Sequence, residues 1–76
     1  MPSSLHEPKP VVELVVNGDH VNASAATLAD LLDELGYRDA KVATAVNGAF
    51  VATSDRAQLA LSPEDRVEIV APRQGG

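Results

Sequence analysis

The 76-residue sequence contains no cysteine, and aromatic residues make up only 3% of it. The absence of cysteine excludes disulfides, thiolate nucleophiles and zinc–thiolate sites. Because aromatic side chains are so scarce, the core must be built from Val, Leu, Ile and Ala. A chain of this length forms one small domain, which can fold without metal or disulfide if it closes one compact core.

Basic residues and long apolar runs are also scarce. Six Lys and Arg face eleven Asp and Glu, which gives a formal net charge of -5. A nucleic-acid-binding protein needs a basic surface, so this composition argues against that class and favours a protein partner. No apolar run of membrane-spanning length and no signal peptide is visible, and we expect a cytoplasmic protein.

Two hairpin patterns and one helix pattern organise the chain. The β-branched run from Val11 to Val16 predicts a strand, Asn17-Gly18 a tight turn, and residues 20–23 the return strand. A helix follows, because Thr27 can cap its first amides and Gly36 can end it. Its apolar stripe consists of Leu28, Leu31, Leu32 and Leu35.

The second half repeats the hairpin pattern and ends in a strand. Residues 41–46 and 49–52 predict two strands around Asn47-Gly48, whereas residues 53–61 predict a loop or short irregular segment. Residues 62–65 form a turn before Arg66–Val70, in which Val67 and Ile69 should point inward. The order ββαβββ predicts an α+β domain with one helix across a mixed sheet of four or five strands, the last strand lying parallel to the first.

No internal active site emerges from the polar residues. His6 and His20 lack the spacing and the cysteine neighbours of a metal site. Acidic residues of the helix fit a solvated face, and Ser54-Asp55 lacks the strand–turn–helix setting of a hydrolase nucleophile. The acidic helix residues are Asp30, Asp33 and Glu34.

The last six residues, Ala71-Pro72-Arg73-Gln74-Gly75-Gly76, carry the functional signal. Glycines have no Cβ, so this ending can enter a slot too narrow for side chains and present a carboxylate to another protein. Six residues span about 20 Å at roughly 3.3 Å each, which holds the carboxylate clear of the domain. We therefore divide the chain into a flexible extension (1–10), a folded domain (11–70) and a flexible tail (71–76).

Taken together, these motifs resemble the ThiS-type sulfur carriers of thiamin biosynthesis. The resemblance covers nearly everything from Val11 onward and rests on Val16-Asn17-Gly18, Thr27-Leu28-Ala29-Asp30-Leu31-Leu32, Leu35-Gly36, Val42-Ala43, Ala45-Val46-Asn47-Gly48, Asp65-Arg66-Val67-Glu68-Ile69-Val70 and Gly75-Gly76. It implies a β-grasp, ubiquitin-like fold, in agreement with the predicted element order.

The resemblance also implies a function for the tail. Gly76 would be adenylated by an E1-like enzyme of the ThiF type using ATP and Mg²⁺, and then converted to a thiocarboxylate with sulfur from a persulfide. A ThiG-type thiazole synthase would receive the sulfur. Gly75, Gln74 and Arg73 would serve in tail recognition. The chain itself would bind no cofactor and have no catalytic residue.

Other functions share the same fold and tail. The closest alternatives are the small subunit of molybdopterin synthase and a carrier serving amino-acid biosynthesis. A ubiquitin-like modifier is disfavoured because only Lys9 and Lys41 are available for chain building. A non-catalytic β-grasp binding module, in which the two glycines have no role, belongs to a different class.

Overall fold

The computed structural model describes residues 11–38 and 40–71. The predicted extension and all of the predicted tail except Ala71 lie outside the described residues. The elements are β1 (Val12–Val16), β2 (Asp19–Ala23), α1 (Leu28–Glu34), β3 (Ala43–Val46), β4 (Ala49–Val51), a 3₁₀-helix (Thr53–Gln58) and β5 (Arg66–Val70).

The five strands within the described ranges form one mixed sheet in the order β2-β1-β5-β3-β4. β5 pairs parallel with β1 and antiparallel with β3, so the last of these five strands is the central strand of the sheet. This arrangement confirms the predicted α+β fold and the predicted position of the last strand beside the first. The helix and the second hairpin lie between β1 and β5 in the chain, and parallel pairing requires a long connection of this kind.

Both Asn-Gly pairs form the predicted hairpin turns. Asn17 and Gly18 have φ values of 50° and 87°, and Asn47 and Gly48 have 52° and 85°. Positive φ at both central residues matches the right-handed twist of the flanking strands, and Asn and Gly tolerate it best.

The helix begins and ends where its capping residues predict. The Thr27 side chain accepts a hydrogen bond from the Asp30 amide at 3.2 Å. At the other end Gly36 has φ +91°, and the Tyr37 amide donates to the Leu32 carbonyl at 2.8 Å. These bonds satisfy groups that a helix end would otherwise leave unpaired.

One apolar core lies between α1 and the sheet. Its fully buried centre includes Leu14, Leu28, Leu31 and Val67, and Ile69 is also buried, as the alternation in β5 predicted. The buried apolar residues are Leu14, Val16, Ala23, Ala25, Leu28, Leu31, Leu32, Val51, Leu61, Val67 and Ile69, all of the four predicted types.

The segment after β4 is more regular than the sequence indicated. It forms a 3₁₀-helix and then runs beside the start of α1, where the Leu61 amide donates to the Ala26 carbonyl and the Leu28 amide donates to the Leu59 carbonyl. Leu61 is buried and Leu59 half-buried, so both contribute to the core.

Strand β3 is shorter than predicted. It begins at Ala43 instead of residue 41. Ala43 is paired with Val70, the last residue of β5, so the two preceding residues have no partner on that side.

Candidate functional site

The four predicted tail residues, Gly76, Gly75, Gln74 and Arg73, lie outside the described residues. Their predicted roles therefore stay predictions. The structure describes the chain up to Ala71 and so defines the base from which the tail starts.

That base is the end of the central strand. Ile69 is buried, whereas Val70 is 61% exposed and Ala71 is also exposed. Because β5 lies between β1 and β3, the chain leaves from the middle of the sheet, where Val70 is paired with Ala43 of β3.

An apolar patch lies on the open face of the sheet beside this base. Outward side chains of β5 alternate with buried ones, and cross-strand pairing places Ala45 between Glu68 and Phe50 and places Ala43 beside Val70. Phe50 is 72% exposed, which is unusual for the one phenylalanine in a small domain. We call Ala43, Ala45, Phe50 and Val70 the apolar patch.

The open face becomes charged on the side of β1 and β2. Val15 is registered with both His20 and Arg66, and shallow depressions around these three residues also involve Glu13, Glu64 and Glu68. The face thus combines an apolar end near the tail with a mixed-charge region farther along the strands. Such a combination is typical of a surface that binds another protein.

Within the described residues, the polar side chains considered for catalysis do not lie together; His6 lies outside that range. His20 is exposed on β2, Ser54 and Asp55 are exposed in the 3₁₀-helix, and the three acidic residues of the helix segment are exposed. Glu34 accepts hydrogen bonds from the amide and hydroxyl of Ser24. Within residues 11–38 and 40–71, no group of three His, Cys, Asp or Glu residues has metal-binding geometry.

Two side-chain contacts that sequence reasoning missed hold the strands around the base. The Asn17 carboxamide accepts from the Ile69 amide at 2.8 Å and donates to the Ile69 carbonyl at 3.1 Å. We call this pair of bonds the Asn17 clamp. The Asn-Gly signal predicts the turn, but no local pattern indicates a partner 52 positions away.

The second missed contact is made by Arg56. Its guanidinium is buried and donates to the Thr44 hydroxyl at 3.0 Å and to the Val42 carbonyl at 2.6 Å. Thr44 in turn donates to the Val51 carbonyl at 2.9 Å. This network fastens the 3₁₀-helix to β3, the strand that pairs with the end of β5.

No helix in the described part of the chain has the length and apolar character needed to cross a membrane. The site that remains is a sheet face whose apolar patch lies beside the end of the central strand at Val70. The mixed sheet in the order β2-β1-β5-β3-β4, with α1 packed on it, defines a β-grasp domain of the ubiquitin-like class. The model of the ThiS family matches residues 8–76, so this chain belongs to the ThiS family of β-grasp sulfur carriers.

Individual relatives agree with this assignment. A thiazole synthase from Paramagnetospirillum magneticum is 44% identical over 66 residues, which are 86% of this chain. The chain spans only 20% of that relative's length. The crystal structure of the thiamine biosynthesis protein (ThiS) from Geobacter metallireducens matches with a TM-score of 0.72 at 25% identity, covering 86% of this chain and 100% of that one.

Proposed function

We propose that this chain carries sulfur for thiazole formation on the carboxylate of Gly76, as a recycled co-substrate without catalytic residues of its own. The observation that carries the proposal is the end of the central strand at Val70, within the apolar patch and six positions before Gly76. The family match supports it, because it extends through Gly75 and Gly76.

The first chemical step makes the carboxylate reactive. A carboxylate is a poor electrophile, so an adenylating partner of the ThiF type joins a Gly76 carboxylate oxygen to the α-phosphorus of ATP and releases pyrophosphate. The Mg²⁺ and ATP belong to that partner's site. The acyl-adenylate contains AMP as a leaving group, and a sulfur nucleophile can displace it.

The second step installs the sulfur. The terminal sulfur of a protein persulfide attacks the Gly76 carbonyl carbon and expels AMP, which gives an acyl disulfide. A thiol then attacks the sulfur that belongs to the donor protein's cysteine and forms a disulfide with it. The sulfur bonded to the Gly76 carbonyl carbon leaves with that carbon as the Gly76 thiocarboxylate. The thiocarboxylate is the sulfur nucleophile that a thiazole synthase would consume.

The apolar patch is the proposed contact surface for the adenylating partner. A partner that receives Gly76 in a narrow slot must also contact the surface from which the tail starts. Val70 lies in the apolar patch and directly precedes the tail, so the patch is part of that surface. Burial of Phe50 and Val70 would supply apolar contact area, while the charged region of the open face would set orientation.

The proposed sulfur acceptor is a thiazole synthase of the ThiG type. The support is the Paramagnetospirillum magneticum relative, which is named thiazole synthase and contains a segment 44% identical to this chain. A carrier-like segment in a protein of that name is consistent with the two working on the same product.

The test is ATP–pyrophosphate exchange by a ThiF-type enzyme with the full chain and with a variant that lacks Gly76. The wild-type chain should stimulate exchange, and the deletion should abolish it. Removing one terminal residue should leave the unfolding midpoint unchanged, because termini contribute little to stability. Equal stimulation by both chains would refute Gly76 as the reacting residue.

The slot can be tested separately with Gly75→Ala, which keeps the carboxylate and adds one methyl group. We expect exchange to fall well below the wild-type rate. Wild type is the reference, and the unfolding midpoint of Gly75→Ala should match it, because terminal residues contribute little to stability. A Gly75→Ala chain that reacts as fast as wild type would contradict the narrow-slot argument.

A further inference from the structure

The ladder between β1 and β5 ends early. It contains two registered pairs, Val15 with Arg66 and Val16 with Val67, and its last backbone bond runs from the Asn17 amide to the Val67 carbonyl at 2.9 Å. Beyond this point β1 turns away into the hairpin, since Asn17 and Gly18 have positive φ. The end of β5 therefore has no backbone partner from β1.

The Asn17 clamp replaces the missing ladder bonds. In a continued parallel ladder the Ile69 amide would donate to the backbone carbonyl of residue 17, and the Ile69 carbonyl would accept from the amide of residue 19. The Asn17 carboxamide fills both roles, at 2.8 Å and 3.1 Å. Ile69 is thus held between β3 on one side and a single side chain on the other.

We propose that Asn17 is a positioning residue for sulfur loading, because its clamp on Ile69 fixes the direction in which the chain leaves the sheet toward Gly76. This inference rests on the proposed function. Without the clamp, pairing with Ala43 still keeps Val70 in the apolar patch. The strand end is then held on one side only. The partner must therefore order more backbone before the Gly76 carboxylate is positioned to react with the α-phosphorus of ATP.

The second hairpin provides a matched control. Asn47 has nearly the same backbone conformation, and its carboxamide also makes two bonds near β5, accepting from the Arg66 amide at 2.9 Å and donating to the Asp65 carboxylate at 3.0 Å. These bonds hold the start of β5, at the other end from the tail. The Asn47 bonds are exposed whereas the Asn17 clamp is partly buried, so the unfolding midpoint is measured for both variants, and only Asn17 acts on the tail end of β5.

The experiment compares Asn17→Gly with Asn47→Gly, because glycine keeps the positive φ of the turn and removes only the carboxamide. Hydrogen exchange should accelerate at the Ile69 amide in the first variant and at the Arg66 amide in the second. In ATP–pyrophosphate exchange with a ThiF-type enzyme, Asn17→Gly should lower kcat by about tenfold, the cost of ordering about one more backbone residue, with KM changed less than about twofold. Asn47→Gly should keep kcat within about twofold of wild type.

A second variant keeps the test informative if Asn17→Gly unfolds. Asn17→Asp retains the acceptor for the Ile69 amide but places a second acceptor oxygen against the Ile69 carbonyl, so its kcat should also fall below wild type. If wild type is active and Asn17→Gly has the same kcat as Asn47→Gly, the positioning role of Asn17 is overturned, whereas the proposed function is not. A wild-type chain that never supports exchange overturns the proposed function and this inference with it.

Discussion

The contact surface proposed for the adenylating partner can be tested with two valines that differ in place but not in exposure. Val70 is 61% exposed within the apolar patch, and Val11 is 63% exposed. In the parallel pair of β1 and β5, Val15 lies opposite Arg66. Val11 comes four residues before Val15, and Val70 comes four residues after Arg66, so the two valines lie in opposite directions from this pair. The two valines are therefore about 26 Å apart along the strand direction, at roughly 3.3 Å per residue.

The expected effect follows from the area that a partner can newly cover. Val→Ala removes two carbons, worth about 1.6 kcal/mol at ~0.8 kcal/mol per buried carbon. Only the 61% of Val70 that is exposed can be buried by the partner, which leaves about 1 kcal/mol. Val70→Ala should thus weaken binding to the adenylating enzyme about fivefold, and Val11→Ala should leave it unchanged.

The assay is titration calorimetry of each variant with the ThiF-type enzyme in the absence of ATP, so that the dissociation constant is measured apart from chemistry. Unfolding midpoints of both variants should stay near wild type, because both side chains are mostly exposed. Equal weakening by Val70→Ala and Val11→Ala, or no weakening by Val70→Ala, would refute the proposed contact surface.

Three further predictions concern the fold. Arg56→Met should lower the free energy of unfolding, measured in urea, by about 2–4 kcal/mol, because the Val42 carbonyl and Thr44 hydroxyl lose a charged donor. Arg56→Lys should recover only part of this free energy. A loss below about 1 kcal/mol in Arg56→Met would show that the network is dispensable. Leu31→Ala, at a side chain with 0% exposure, should cost about 2–5 kcal/mol in the same assay, and a smaller loss would contradict its central place in the core. Gly36→Ala should lower the free energy of unfolding by about 1 kcal/mol through the φ of +91° alone, since no atom outside the adjoining residues lies within 4 Å of the added Cβ. An unchanged unfolding curve would be inconsistent with a left-handed backbone conformation at Gly36.

Sequence reasoning succeeded where the signal is local. The Thr27 cap, the Gly36 helix end and both Asn-Gly turns depend on residues within a few positions of each other, and all are present in the structure. The alternation in β5 predicted the burial of Val67 and Ile69 correctly. These patterns were enough to obtain the element order and the position of the last strand.

What sequence reasoning missed depends on contacts across the chain. Arg56 is buried because Thr44 and the Val42 carbonyl, at least 12 positions away, supply its acceptors. An arginine in a polar segment gives no local sign of such a partner, and surface exposure is the usual expectation. The Asn17 clamp was missed for the same reason, since turn chemistry fully explains an Asn-Gly pair.

The most direct test of sulfur carriage is the intact mass of the full chain after incubation with a ThiF-type enzyme, Mg-ATP, a persulfide donor and a thiol. Sulfur carriage on Gly76 predicts the mass gain of one sulfur replacing one oxygen, located by fragmentation on Gly76, and no gain when ATP is omitted. An unchanged mass with active partners, or sulfur located on any other residue, would contradict it.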